Sequence, residues 1–149
     1  MIKKHDVKID EGTIKVIESF IEAKLPQDYK EFLLKYNGGT PYKGVFQLNH
    51  ITSGLAFFYI VNSVNYYSDF VSIYHTLKDR IPKGFIIIAS DVGGNGILLG
   101  LENENRGKIY FWDHEEEVED DEEPDFRNMT FLSKSFTEFV DSLVVDIEE

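Results

Sequence analysis

The sequence predicts an α+β domain, and three observations carry that prediction. Apolar residues recur at helical spacing near both ends of the chain, over 11–36 and again over 135–143. Between them lie short aromatic and β-branched runs of strand length. The last three of these runs are joined by turns rich in Gly and Asn, the pattern of a meander. With 149 residues, no internal repeat and no Gly/Ser-rich linker, residues 1–149 form one domain with room for a proper core.

The first helix is expected from about Glu11 to Ala23, with Asp10 as N-cap and Ile14, Ile17 and Ile21 on its apolar face. Pro26 then suits the first position of a second helix, whose stripe is Tyr29, Phe32, Leu33 and Tyr36. Asn37-Gly38-Gly39 tolerates left-handed backbone and ends it. Val45–Leu48 and Leu55–Val61 read as strands, followed by a third helix with Tyr67, Phe70, Val71 and Tyr74 on one face. Strands over Phe85–Ala89, Ile97–Leu101 and Lys108–Asp113 come next. Ser135 and Glu138 make a capping box for a closing helix with Phe136, Phe139, Val140 and Leu143 buried.

"ASDVGGNGILLG", Ala89–Gly100, raises the question of a nucleotide. A strand followed by closely spaced glycines begins a phosphate loop only if a helix starts next and aims its amides at the phosphates. Here Ile97-Leu98-Leu99 follows, which reads as a strand, so the glycines are expected to turn the backbone. Asp91 and Asn95 are expected to make local turn hydrogen bonds.

Composition excludes several classes. Cysteine is absent, which removes disulfides, thiolate nucleophiles and cysteine metal sites. No apolar run approaches the roughly 20 residues of a membrane span. Met1-Ile2-Lys3-Lys4-His5-Asp6 has no apolar segment behind its lysines, so no secretory signal is expected and the protein is placed in the cytoplasm. The formal charge is −12, and nine of the eleven residues in "EEEVEDDEEPD", Glu115–Asp125, are acidic. The rest of the chain carries only −3. Direct binding to nucleic acid needs clustered Lys and Arg, so a basic protein is the natural partner instead.

Asp113-His114-Glu115 could be read as metal ligands or as an acid–base group. Only four histidines exist, however, and His5, His50 and His75 have no ligand spacing with His114. There is no EF-hand loop and no G-x-S-x-G elbow. No catalytic residue, cofactor or metal is assigned, and the protein is read as non-enzymatic.

Several stretches, in this order, resemble one family. "LPQDYKEFLLKYNGG", Leu25–Gly39, is similar to a signature of the SUKH superfamily, in particular its Smi/Knr-type members. "IIIASDVGGNGILLGL" resembles that family's strand, Asp- and Gly-rich turn and strand. "GKIYFWDHE", Gly107–Glu115, resembles the strand after it, and "SKSFTEFVDSL", Ser133–Leu143, the closing helix. Glu18 stands where the family often has a Glu ahead of Leu-Pro. The resemblance implies an α+β domain with a twisted, mainly antiparallel sheet packed by helices. It also implies one of two roles, neither of them catalytic. Bacterial members are mostly immunity proteins that bind and block a cognate secreted toxin, often a nuclease. Fungal relatives are regulators of cell-wall assembly, usually with long disordered flanks; this chain shows essentially no flanks, which favours the immunity role.

The expected partner-binding residues are Trp112, Asp113, His114, Glu115, Glu116, Glu117, Glu119, Asp120, Asp121, Glu122, Glu123 and Asp125, within an acidic loop at about 113–126. An extended stretch would project a row of carboxylates on one side, about 6.6 to 6.8 Å apart, toward the cation-lined groove of a nuclease. Trp112 is expected as the apolar anchor. Tyr110 and Trp112 should share one strand face, and Ile109 and Phe111 the other. The alternative is a non-enzymatic regulatory or scaffold module of the cell-wall-assembly-regulator type.

Overall fold

The computed structural model describes residues 1–145. Helices α1 (Glu11–Ile21) and α2 (Gln27–Lys35) precede a sheet of six antiparallel strands in chain order. These are β1 (Val45–Leu48), β2 (Ile51–Phe58), β3 (Phe85–Asp91), β4 (Gly96–Gly100), β5 (Ile109–Trp112) and β6 (Met129–Ser133). Helix α3 (Phe70–Leu77) lies between β2 and β3, and α4 (Phe136–Ser142) closes the fold. The α+β class, with its antiparallel sheet packed by helices, is as expected.

Local chemistry sets the helix ends. Asp10 caps α1 through the Thr13 amide, at 3.0 Å. The helix stops at Ile21, two residues short of expectation, because Glu22 turns left-handed at φ 57°. The Glu18 carboxylate then accepts the Leu25 amide at 2.8 Å and fixes the corner. Pro26 is the N-cap of α2, one position ahead of its expected place. In α4, Ser135 accepts the Glu138 amide at 3.0 Å as expected.

The strand register assigns the side chains to two faces, since directly opposed residues point the same way. Phe58, Ala89, Ile97, Phe111 and Thr130 form one row. This is the face that α2 and α4 cover: the Phe58 ring contacts Phe32 and Phe136, and Phe111 reaches Phe139 through Phe46. Phe57, Ser90, Gly96, Trp112 and Met129 form the neighbouring row on the opposite face. Tyr110 joins Trp112 there, against Phe85, Phe126 and Phe131.

The segments flanking α3 reach this second face. Tyr67 packs edge-on against Phe57, and Arg80 lies over the Trp112 ring, 5.9 Å from its centroid. Tyr67 belongs to a 3₁₀ turn, Tyr66–Ser68, that Asp69 separates from α3. Its expected place on the buried stripe of the third helix is therefore corrected: the Asp69 carboxylate caps α3 at Ser72, and Tyr67 stands outside the helix, exposed. Two further strand expectations change. β2 begins at Ile51 because Asn49, at φ 56°, closes a tight hairpin with β1. It ends at Phe58, after which Ile60 bridges in parallel to Asp69.

Candidate functional site

The glycine-rich turn and the acidic loop meet. Asp91, 4% exposed, points its carboxylate back into the 91–95 turn. It accepts the Gly93 amide at 2.9 Å, the Asn95 amide at 2.7 Å, Asn95 Nδ2 at 3.2 Å and Ser53 Oγ at 3.2 Å. Gly94 takes φ 84°, which a side chain would resist. Gly100 has a different reason: a Cβ there would lie 2.0 Å from the Asn105 carbonyl oxygen. β4, not a helix, follows the turn, so no row of helical amides faces a phosphate.

Asn95 carries this wiring to the start of the acidic loop. Its Oδ1 accepts the His114 backbone amide at 3.2 Å and lies 2.6 Å from His114 Nδ1. His114 is thus spent on orienting the loop. Among the described residues, no group of three or more His, Asp or Glu side chains is gathered as a metal site.

Three more contacts hold the loop. Arg80 donates twice to Glu117, from Nη2 at 2.6 Å and from Nε at 3.2 Å, while its other side lies over Trp112. The fork geometry and the ring face together fix the guanidinium, and the Glu117 carboxylate raises its affinity for the proton above the ordinary arginine value. At the far end Phe126 packs edge-on against Phe85 and Tyr110. The Asp113 amide donates to the Asn128 carbonyl, and Asn128 Nδ2 returns a bond to the Asp113 carbonyl, both at 2.9 Å.

Between these anchors the chain displays charge. Glu115, Glu116, Glu119, Asp120, Asp121, Glu122, Glu123 and Asp125 are exposed; Asp113, His114 and Glu117 are half-buried. Arg127 pairs with Asp125 at 2.9 Å and Glu122 at 3.4 Å, and its hydrogen bonds lower the Asp125 pKa below the usual carboxylate value. Of the nine acids in 115–125, six have no cationic partner among the described residues: Glu115, Glu116, Glu119, Asp120, Asp121 and Glu123.

Two expectations about this site are corrected. The carboxylates do not form an extended row, because Asp113 caps a 3₁₀ turn at His114–Glu116 and a second turn closes from Glu119 to Glu122. Trp112 is 2% exposed, covered in part by Arg80, so it offers no apolar anchor to a partner. Its role in the structure is to support the loop from beneath. Sequence reasoning also misses Arg80, a cation 37 positions from Glu117 with no local motif to mark it.

Comparison with known proteins agrees with the fold. The profile of the SMI1 / KNR4 family (SUKH-1) matches residues 8–142, nearly the whole described chain. This chain belongs to that family. It is also similar to the SPbeta prophage-derived uncharacterized protein YokK of Bacillus subtilis (strain 168), with 33% identity over 153 residues, covering 88% of this chain and 72% of the relative. The SUKH-1 family includes immunity proteins, and its members generally act by binding proteins rather than by catalysis. Among the described residues, no helix is long and apolar enough to cross a membrane.

Proposed function

We propose that this protein is a cytoplasmic immunity protein that neutralises a cognate toxin by stoichiometric binding. The toxin presents a cation-lined surface, of the kind a nuclease uses to hold phosphates. The observation that carries this reading is the anchored acidic loop, with six exposed carboxylates that make no salt bridge among the described residues. A loop pinned at His114, Glu117 and Phe126 holds its charge in place before the partner arrives. Less ordering entropy is then lost on binding. Family membership supports a protein partner, and no catalytic step is assigned.

The test begins with tagged protein in its own source cells. One dominant basic partner, retained at low salt and lost at high salt, is the expected result. Association of that purified partner is then measured with Glu119, Asp120, Asp121 and Glu122 replaced by Gln or Asn. Electrostatic steering supplies about 10- to 1,000-fold in on-rate at low salt, so the variant should associate more slowly and with a flatter salt dependence. An unchanged on-rate at low salt would remove the loop from the interface. Recovery of several partners, wall-synthesis enzymes among them, would favour a regulatory module.

A further inference from the structure

We infer that Tyr66 and Tyr67 form the apolar half of the interface, so that a basic protein surface docks across α3 between these tyrosines and the acidic loop. The inference rests on the reading above and adds to it a surface outside the acidic run.

The starting observation is exposure without disorder of the frame. Val64 is 88% exposed, Tyr66 78% and Tyr67 68%, all within four positions. Their segment is densely wired. The Asp69 carboxylate accepts the Ser63 amide at 3.2 Å, the Ser72 amide at 3.0 Å and Ser72 Oγ at 2.8 Å. Ser63 and Ser68 share a 2.7 Å hydroxyl contact, and the Ile60 amide donates to the Ser68 carbonyl at 2.8 Å. The hydrogen bonds that shape this turn come from Ser, Asp and backbone, so Val64 and the two rings add little to it. Large apolar side chains held mostly in water on a fixed frame gain little from folding, whereas binding removes them from water. Tyrosine also loses little conformational freedom when it is covered, having two side-chain torsions.

The second observation is continuity with the acidic loop. Tyr67 sits against Phe57, and the row Phe57, Ser90, Gly96, Trp112 runs from β2 to β5 on one face of the sheet. Three strand spacings separate its ends, about 14 Å. α3 has eight residues, about 12 Å of helix, and its flanking residues meet both ends of the row. Ile73 and Thr76, at i and i+3, share one face of α3, and Arg80 follows in the turn after the helix ends at Leu77. A notch of about 140 Å³ at the start of α3 is lined by Tyr66, Tyr67, Ile73 and Thr76. The surface thus runs from tyrosines, along α3, to the Arg80–Glu117 pair and the free carboxylates. That span fits within a standard interface of about 800 Å² per partner.

The chemistry of the two ends selects one class of occupant. Six free carboxylates repel a nucleic acid and attract a Lys- and Arg-rich protein. Tyrosine faces receive guanidinium and ammonium groups as well as apolar side chains. Tyrosine anchors flanked by a charged rim are the usual anatomy of a protein–protein interface.

The test uses the purified basic partner recovered from the source cells as the probe, with four forms of the full chain. These are wild type, Tyr66→Ser/Tyr67→Ser, the four-site acidic-loop variant, and Tyr42→Ser. Tyr42 is 63% exposed on the segment that bonds to Met1, and serves as the control. Loss of anchor tyrosines should weaken binding roughly tenfold or more, through faster dissociation and with the salt slope unchanged. The acidic variant should instead lose on-rate, and Tyr42→Ser should bind as wild type. The double tyrosine variant should stay folded with only a small fall in melting temperature, because Tyr66 is exposed and Tyr67 gives up only its edge contact with Phe57. Binding of that variant within about twofold of wild type overturns the inference and leaves the immunity reading standing. No binding by wild type overturns the immunity reading itself, and this surface with it.

Discussion

On one face of the sheet Phe58 packs against Phe32 and Phe136, and Phe46 links Phe111 to Phe139. On the other, Trp112 carries Arg80, and Arg80 carries the acidic loop. The first face consists of apolar contacts between helix and strand. The second spends buried aromatic area on holding a cation, and uses that cation to place charge at the surface. Changes on the first face should be felt in stability, and changes on the second in binding.

The largest effect belongs to the first face. Phe32 is buried and touches Tyr29, Tyr36, Phe58 and Phe136. Phe32→Ala removes the ring at the centre of that cluster and should cost about 3 to 5 kcal/mol in urea unfolding. A loss below about 1 kcal/mol would mean that the cluster is not the main support of this face. Partner affinity of the folded fraction should be unchanged, which is what separates the two faces.

A smaller effect of opposite sign lies in the same cluster. The Tyr29 hydroxyl is fully buried with no hydrogen-bond partner, and burial pushes its pKa far above the ordinary tyrosine value. An unsatisfied buried polar group costs about 1 to 3 kcal/mol. Tyr29→Phe should therefore raise stability by about 1 kcal/mol, read as a higher urea midpoint with an unchanged slope. A lower midpoint would show that the hydroxyl has a partner, a buried water being the simplest.

Much of the first face is legible in the sequence, because its signals are local. Ser135 and the stripes of α2 and α4 announce themselves within a few residues of each other. The Asp91 turn is similarly local, since Asp91, Gly93 and Asn95 lie within five positions. The second face is less legible. β6 follows the acidic run and is mostly half-buried, so Met129–Ser133 shows no clean alternation of apolar and polar residues. Trp112 looks like an anchor until Arg80 is found above it, and nothing within 30 positions of either residue signals that contact. The display of Tyr66 and Tyr67 depends on where Asp69 starts α3, and tyrosines at helical spacing read as core until that cap is placed.

Asp91 and Asp120 show why composition alone misassigns roles. The Asp91 carboxylate accepts four hydrogen bonds and is consumed by its turn. Asp120 is exposed and has no salt-bridge partner among the described residues. Both are acidic residues near glycine- or acid-rich turns, and only their wiring distinguishes structure from availability.

The smallest effect on stability is the most discriminating test of the second face. Arg80 is about half exposed, and pairs of this kind contribute roughly 0 to 1 kcal/mol, so Arg80→Ala should barely move the melting temperature. It also frees Glu117 and makes the protein one charge more negative. If attraction at a distance were all that the loop supplied, the variant would associate with a basic partner at least as fast as wild type. If the loop acts because it is held in place, the variant should dissociate faster, and its 113–126 segment should be cut sooner by protease. We expect the second outcome, because Arg80 is the only cation that joins the middle of the loop to the sheet among the described residues. Faster association with unchanged dissociation would instead reduce the loop to a diffuse charge, and Trp112 to core packing.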